Sequence, residues 1–145
     1  MKKRFPDFKL TIESNMLIWV GPLRPIQKQY VVSLFWCAEN FELPYVLLED
    51  PILMPRTGCD YEDIPHLLYN RDDPARSGLC LFDPDQKEWN PRYDYIAKTT
   101  IPWVAKWLAN YEYWHLTGVW IGEGVLPATV REISLNDNIT KDNVA

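Results

Sequence analysis

The chain predicts an α+β fold: a four-stranded antiparallel meander, an irregular cysteine-bearing segment, then one main helix packed on the sheet. Three observations point to it. Four short runs of β-formers follow one another between residues 8 and 49, and short links favour antiparallel neighbours. From Pro51 to Asp85 the chain is rich in proline, glycine and charge and keeps no sustained period. Val104, Trp107, Leu108 and Tyr111 then fall at i, i+3, i+4, i+7 spacing, the mark of an amphipathic helix.

Taken in order, residues 8–14 alternate apolar and polar, a half-buried strand. Ser14-Asn15 supplies a tight turn into a second strand at 16–20. Gly21-Pro22-Leu23-Arg24-Pro25 reads as a loop from its composition. Residues 29–38 form a third strand, with Cys37 near its end as a small buried hydrophobe. Pro44 to Glu49 forms the fourth. Cys59 then falls in an exposed-looking stretch without apolar anchors. From Tyr61 to Asp85 a short apolar piece and an acidic loop, Arg71 to Arg76, make the long excursion expected of a functional loop. The helix is expected near 101–116. Thr99-Thr100 offers a cap, Pro102 lies in the first turn and Gly118 supplies the stop. His115 at its end is placed to favour the helix dipole, with a structural role expected. Residues 1–125 read as one domain. Residues 126–145 read as a C-terminal tail, partly disordered, with one strand around Thr129 to Ser134.

Composition excludes several classes. At 145 residues, 47% apolar and seven tryptophans, the chain can bury a core and is too apolar to be disordered. No apolar run reaches membrane-spanning length, and the basic N-terminus lacks the hydrophobic stretch of a signal peptide, so a cytoplasmic protein without a membrane partner is expected. A net charge of −5 argues against nucleic acid as a partner. Three cysteines without paired spacing and two histidines exclude a disulfide framework and a zinc motif, and no phosphate-binding glycine loop occurs. No metal or cofactor is expected.

The chemistry-bearing stretch is Ser77-Gly78-Leu79-Cys80-Leu81-Phe82, followed by Trp89-Asn90-Pro91. Gly78 allows a sharp turn. Leu79 and Leu81 can anchor the segment on the core and leave Cys80 facing outward. A lone cysteine with a histidine elsewhere, here His66, is a candidate nucleophile. By context alone Cys80 reads equally as an inert buried thiol.

The order of these pieces resembles the ubiquitin-conjugating-enzyme (UBC) fold. The matching residues are His66, Gly78-Leu79-Cys80-Leu81 and Trp89-Asn90-Pro91. More closely, Pro65-His66-Leu67, Leu79-Cys80-Leu81, Ile101-Pro102-Trp103, Trp107-Leu108, Tyr111-Glu112 and Thr117-Gly118-Val119-Trp120 resemble the prokaryotic UBC-like proteins of bacterial antiphage operons of the CBASS type. The resemblance covers roughly residues 8–124. It implies a cysteine-dependent transferase. Cys80 would accept the C-terminus of a partner, a cyclic-oligonucleotide synthase (a cGAS-like nucleotidyltransferase), and pass it to an acceptor lysine or other amine, with or without a separate activating enzyme. It implies a structural His66. His66-Leu67-Leu68 stands where the eukaryotic family has His-Pro-Asn, so the oxyanion asparagine is missing there, and Tyr69 and Asn70 are the nearest substitutes. The histidine that bacterial relatives carry after the Trp-x-Gly segment has no counterpart in Val125-Leu126-Pro127.

Asp72, Asp73, Asp83, Asp85 and Glu88 surround Cys80 in sequence. Carboxylates near a thiol oppose its ionisation, which suits a carrier better than a cysteine protease. Asp83 and Asp85 are the candidates to orient an incoming amine and take its proton; their other reading is a solvated loop. Two further classes stay open. One is a non-catalytic UBC-like binding module, which a buried Cys80 would favour. The other is a thiol hydrolase releasing conjugates, which would need His66 or His115 in hydrogen-bond reach of Cys80.

Overall fold

The computed structural model describes residues 1–37, 39, 43–81 and 95–121. Four strands, β1 (Lys9–Glu13), β2 (Met16–Leu23), β3 (Tyr30–Cys37) and β4 (Tyr45–Asp50), form one sheet in the order β1-β2-β3-β4. Every neighbouring pair is antiparallel, so the meander stands. Ser14 takes φ 53° at the first central position of the β1–β2 turn, where a two-residue hairpin needs a positive φ. The loop expected from Gly21 is instead strand: β2 runs on to Leu23, with Gly21 opposite Val32 and Pro22 opposite Val31. The missing side chain of Gly21 leaves room for the Phe8 ring, which lies over it where a Cβ would collide.

One helix, α1 (Thr100–Thr117), covers the sheet. Alternate residues of β3 (Tyr30, Val32, Leu34) and β4 (Val46, Leu48) meet Ile101, Val104, Trp107, Leu108, Tyr111 and Trp114 of α1 in a single core. The period of two from the sheet and the period of 3.6 from the helix are thus both used. The helix differs from expectation at its N-terminal cap. The Thr99 hydroxyl gives no cap and donates back to the Tyr95 carbonyl at 2.9 Å. At the C-terminus Gly118 takes φ 79° and its amide closes on the Trp114 carbonyl at 2.8 Å, as expected of a stop. The Arg56 side chain adds a cation there, its Nε donating to the His115 carbonyl at 3.3 Å.

The stretch between β4 and α1 is more ordered than its composition suggests. It holds a 3-10 turn at Tyr61–Asp63, strand β5 (Leu67–Leu68), a second 3-10 turn at Pro74–Arg76 and strand β6 (Gly78–Leu79). β5 and β6 pair antiparallel, Leu67 with Leu79 and Leu68 with Gly78. The tail strand expected around Thr129 to Ser134, and the rest of 126–145, lie outside the described residues. Among the described residues no helix is long and apolar enough to cross a membrane.

Candidate functional site

Cys80 follows β6 directly and is partly exposed. Leu79 before it is buried and Leu81 after it packs partly against the core, the two anchors the sequence suggested. Gly78 does not turn the chain, however. It lies in β6, and a Cβ there would meet the Tyr45 ring at 2.5 Å. The glycine leaves room for the outer end of the Tyr45 ring of β4 rather than making a turn.

The sharp backbone feature is at His66, whose φ is 52°. Histidine is one of the non-glycine types that tolerate this region. That conformation opens β5 and presents the His66 carbonyl inward. Two donors converge on that one oxygen: the Cys80 amide at 3.0 Å and the Trp107 indole Nε1–H at 2.8 Å. A carbonyl has two lone pairs, and both are used. The core helix is therefore tied to the cysteine's backbone through a single atom 41 residues from the indole. The His66 ring itself is exposed and leans on Trp120, centroids 5.6 Å apart, and Trp120 meets Trp107 edge-on at 5.2 Å.

The loop between β5 and β6 is braced from inside. The Asn70 amide donates to the Ser77 hydroxyl oxygen at 2.9 Å, and that hydroxyl donates to the Pro74 carbonyl at 2.8 Å. Asn70 Oδ1 accepts the amides of Asp72 and Asp73 at 3.1 and 3.2 Å, while both aspartates are exposed. Arg76 ties the loop to the sheet by an ion pair with Glu49 at 2.6 Å. Burial pulls the Glu49 carboxyl upward, but the Ser33 hydroxyl and the Arg76 guanidinium outweigh it and hold Glu49 below the usual carboxylate range. Tyr69 is exposed at the loop's start.

The structure thus brings His66, Asn70 and Cys80 into one small β5–β6 unit. Asp83, Asp85 and Trp89-Asn90-Pro91 lie outside the described residues. Cys37 is buried, as expected. Cys59 departs from expectation: it is partly buried against the core. Gly58 at φ 83° and the Cys59 amide on the Arg56 carbonyl, 3.0 Å, fold that turn inward. None of the three cysteines is in a disulfide.

His115 is used elsewhere. Its Nε2 lies 3.0 Å from the Met54 carbonyl, and its ring stands edge-on to Tyr111 and Trp114. Burial, together with the Lys28 and Arg56 charges, holds its pKa below the ordinary value against the pull of the Met54 carbonyl. The imidazole is therefore neutral at pH 7, and Arg56 supplies the charge at the helix end that the sequence assigned to His115. Sequence reasoning missed Trp107, Arg76 and Ser77 as parts of this site. Their signal lies in backbone acceptors and long-range pairs, which no local pattern displays.

No group of three or more potential metal ligands occurs among the described residues. A family model described as Type II CBASS E2 protein matches residues 1–127. No curated protein matches the chain.

Proposed function

The chain belongs to the Type II CBASS E2 protein family, whose members act as E2-like proteins of antiphage operons, and on that premise we propose that it is a thioester carrier with Cys80 as nucleophile. The Cys80 sulfur attacks an activated C-terminal carbonyl of a partner protein, a cyclic-oligonucleotide synthase of the same operon, and the activating group leaves. A lysine or other amine then attacks the thioester carbonyl, the thiolate leaves, and the amine's proton passes to a nearby base. The thiol splits one hard acyl transfer into two easier ones.

The observation that carries this reading is the placement of Cys80: partly exposed, between two anchored leucines, its amide held by the His66 carbonyl. The partial exposure favours a carrier over a module with an incidental thiol. The engagement of His115 by Met54 favours a carrier over a thiol hydrolase built on that histidine. Asp83 and Asp85 are the proposed acceptor-side carboxylates, and Tyr69 and Asn70 the proposed oxyanion support.

Intact-mass measurement of the protein purified with its operon neighbours, with and without reductant, tests the proposal. A reductant-sensitive adduct is expected on the wild type and on Cys37→Ser and Cys59→Ser. Cys80→Ser should fold and carry a reductant-resistant oxyester or nothing. Conjugate formation by Cys80→Ala at the wild-type rate would sink the proposal.

A further inference from the structure

We propose that β1 is a pairing edge on which a second copy of this chain adds antiparallel about a two-fold axis, giving one continuous eight-stranded sheet. Among the described residues β1 is the outermost strand, with β2 as its neighbour, and all five of its residues are exposed. Its register with β2 runs without a break from Lys9–Val20 to Glu13–Met16. Natural edges are guarded by bulges, prolines, short length or charged side chains, lysine above all; β1 has no bulge against β2 and no proline, and its two charges, Lys9 and Glu13, are of opposite sign at its two ends. Leu10 is 44% and Ile12 64% exposed, although their partners across the ladder are Trp19 and Leu17, on the face that leads into the core. The core face of the sheet therefore runs out beyond the cover of α1.

The occupant follows from the strand's own chemistry. Lys9-Leu10-Thr11-Ile12-Glu13 is self-complementary when reversed. With the axis at Thr11, Lys9 faces Glu13 of the second copy twice over, Leu10 faces Ile12, and Thr11 faces Thr11. Opposite charges and apolar pairs directly across an antiparallel ladder are favourable, and like charges there are not. A parallel addition would oppose lysine to lysine and glutamate to glutamate. Among the described residues neither Lys9 nor Glu13 has an ion-pair partner in its own chain. An isologous contact of this kind closes at two copies. It also leaves the chemistry alone, since β6, which Cys80 follows, packs against β4, the strand at the opposite end of the sheet order from β1. Strand spacing puts the two β4 strands about 34 Å apart in such a dimer.

Sedimentation velocity of the full chain over a concentration series tests this, with Lys9→Glu, Glu13→Lys and the double exchange. A discrete dimer is expected for the wild type. Each single reversal should weaken it by at least about tenfold, because two opposite pairs become two like pairs. The double exchange should restore it to near the wild-type value. A monomeric wild type, a dimer indifferent to the single reversals, or a double variant as weak as the singles would overturn the proposal. Thr11→Cys provides a second measurement independent of charge. Directly opposed antiparallel residues have Cα atoms about 4.5–5.5 Å apart, within disulfide range, so oxidation should link two copies through position 11. A Thr11→Cys protein that folds and dimerises without forming that link overturns the two-fold register.

Discussion

At the scale of single residues, His66 and His115 have separate duties that their shared chemistry hides. His66 contributes chiefly its backbone, a φ of 52° and a carbonyl with two donors. His115 contributes a neutral ring held by Met54, Tyr111 and Trp114. Since burial first, and the Lys28 and Arg56 charges after it, depress the His115 pKa, the unfolded chain takes up the proton before the folded one does. The stability from the neutral ring is then complete above the ordinary value near 6.5 and is lost as pH falls through the lower folded value. We expect the melting temperature to fall as pH drops from about 7.5 to 5.5, ahead of carboxylate titration, and His115→Gln to flatten that slope. A slope unchanged by the substitution would show that another group titrates there. Cys80 and His66 were legible as a pair from sequence, because a small set of separated motifs in order is specific. The meaning of Gly78 was not. A glycine before a cysteine reads locally as a turn, whereas its constraint comes from the Tyr45 ring of another strand.

At the scale of elements, periodicity made the four strands and the helix legible to within a few residues. The errors fall where composition and tertiary contact disagree. Gly21-Pro22 has loop composition but lies in β2, paired with Val32 and Val31 of β3, with the Phe8 ring packed over Gly21. The β5–β6 ladder, two residues a side, is too short to show a period. Within α1, Trp107 has both a packing and a polar duty: it is 4% exposed, stacks on Tyr111 at 5.2 Å and donates to His66. Trp107→Ala should cost about 3–5 kcal/mol in chemical denaturation. Trp107→Phe keeps a ring against Tyr111 but removes the donor, and should cost roughly 1–3 kcal/mol. Equal losses for the two would mean that the indole N–H carries the whole effect and the stripe little of it.

At the scale of the whole molecule, the sheet is asymmetric from edge to edge. One edge, β1, has no further strand paired to it among the described residues, and its sequence is self-complementary when reversed. The other carries β6, the braced 69–77 loop and Cys80. Between them the His66 carbonyl is shared by the helix and the cysteine segment, and this has a consequence for isotope exchange. The Cys80 amide hydrogen can be traded for deuterium only when that bond opens. Its acceptor is also gripped by an indole seated in the core, so opening on the cysteine side should follow fluctuations of the helix rather than of the surface loop. We expect the Cys80 amide to be among the slow ones between residues 64 and 81, with a rate that tracks the Trp107 indole hydrogen. A Cys80 amide exchanging as fast as the amides of Arg71 to Asp73 would break that coupling. If the two clocks agree, the cysteine's backbone is as steady as the core itself.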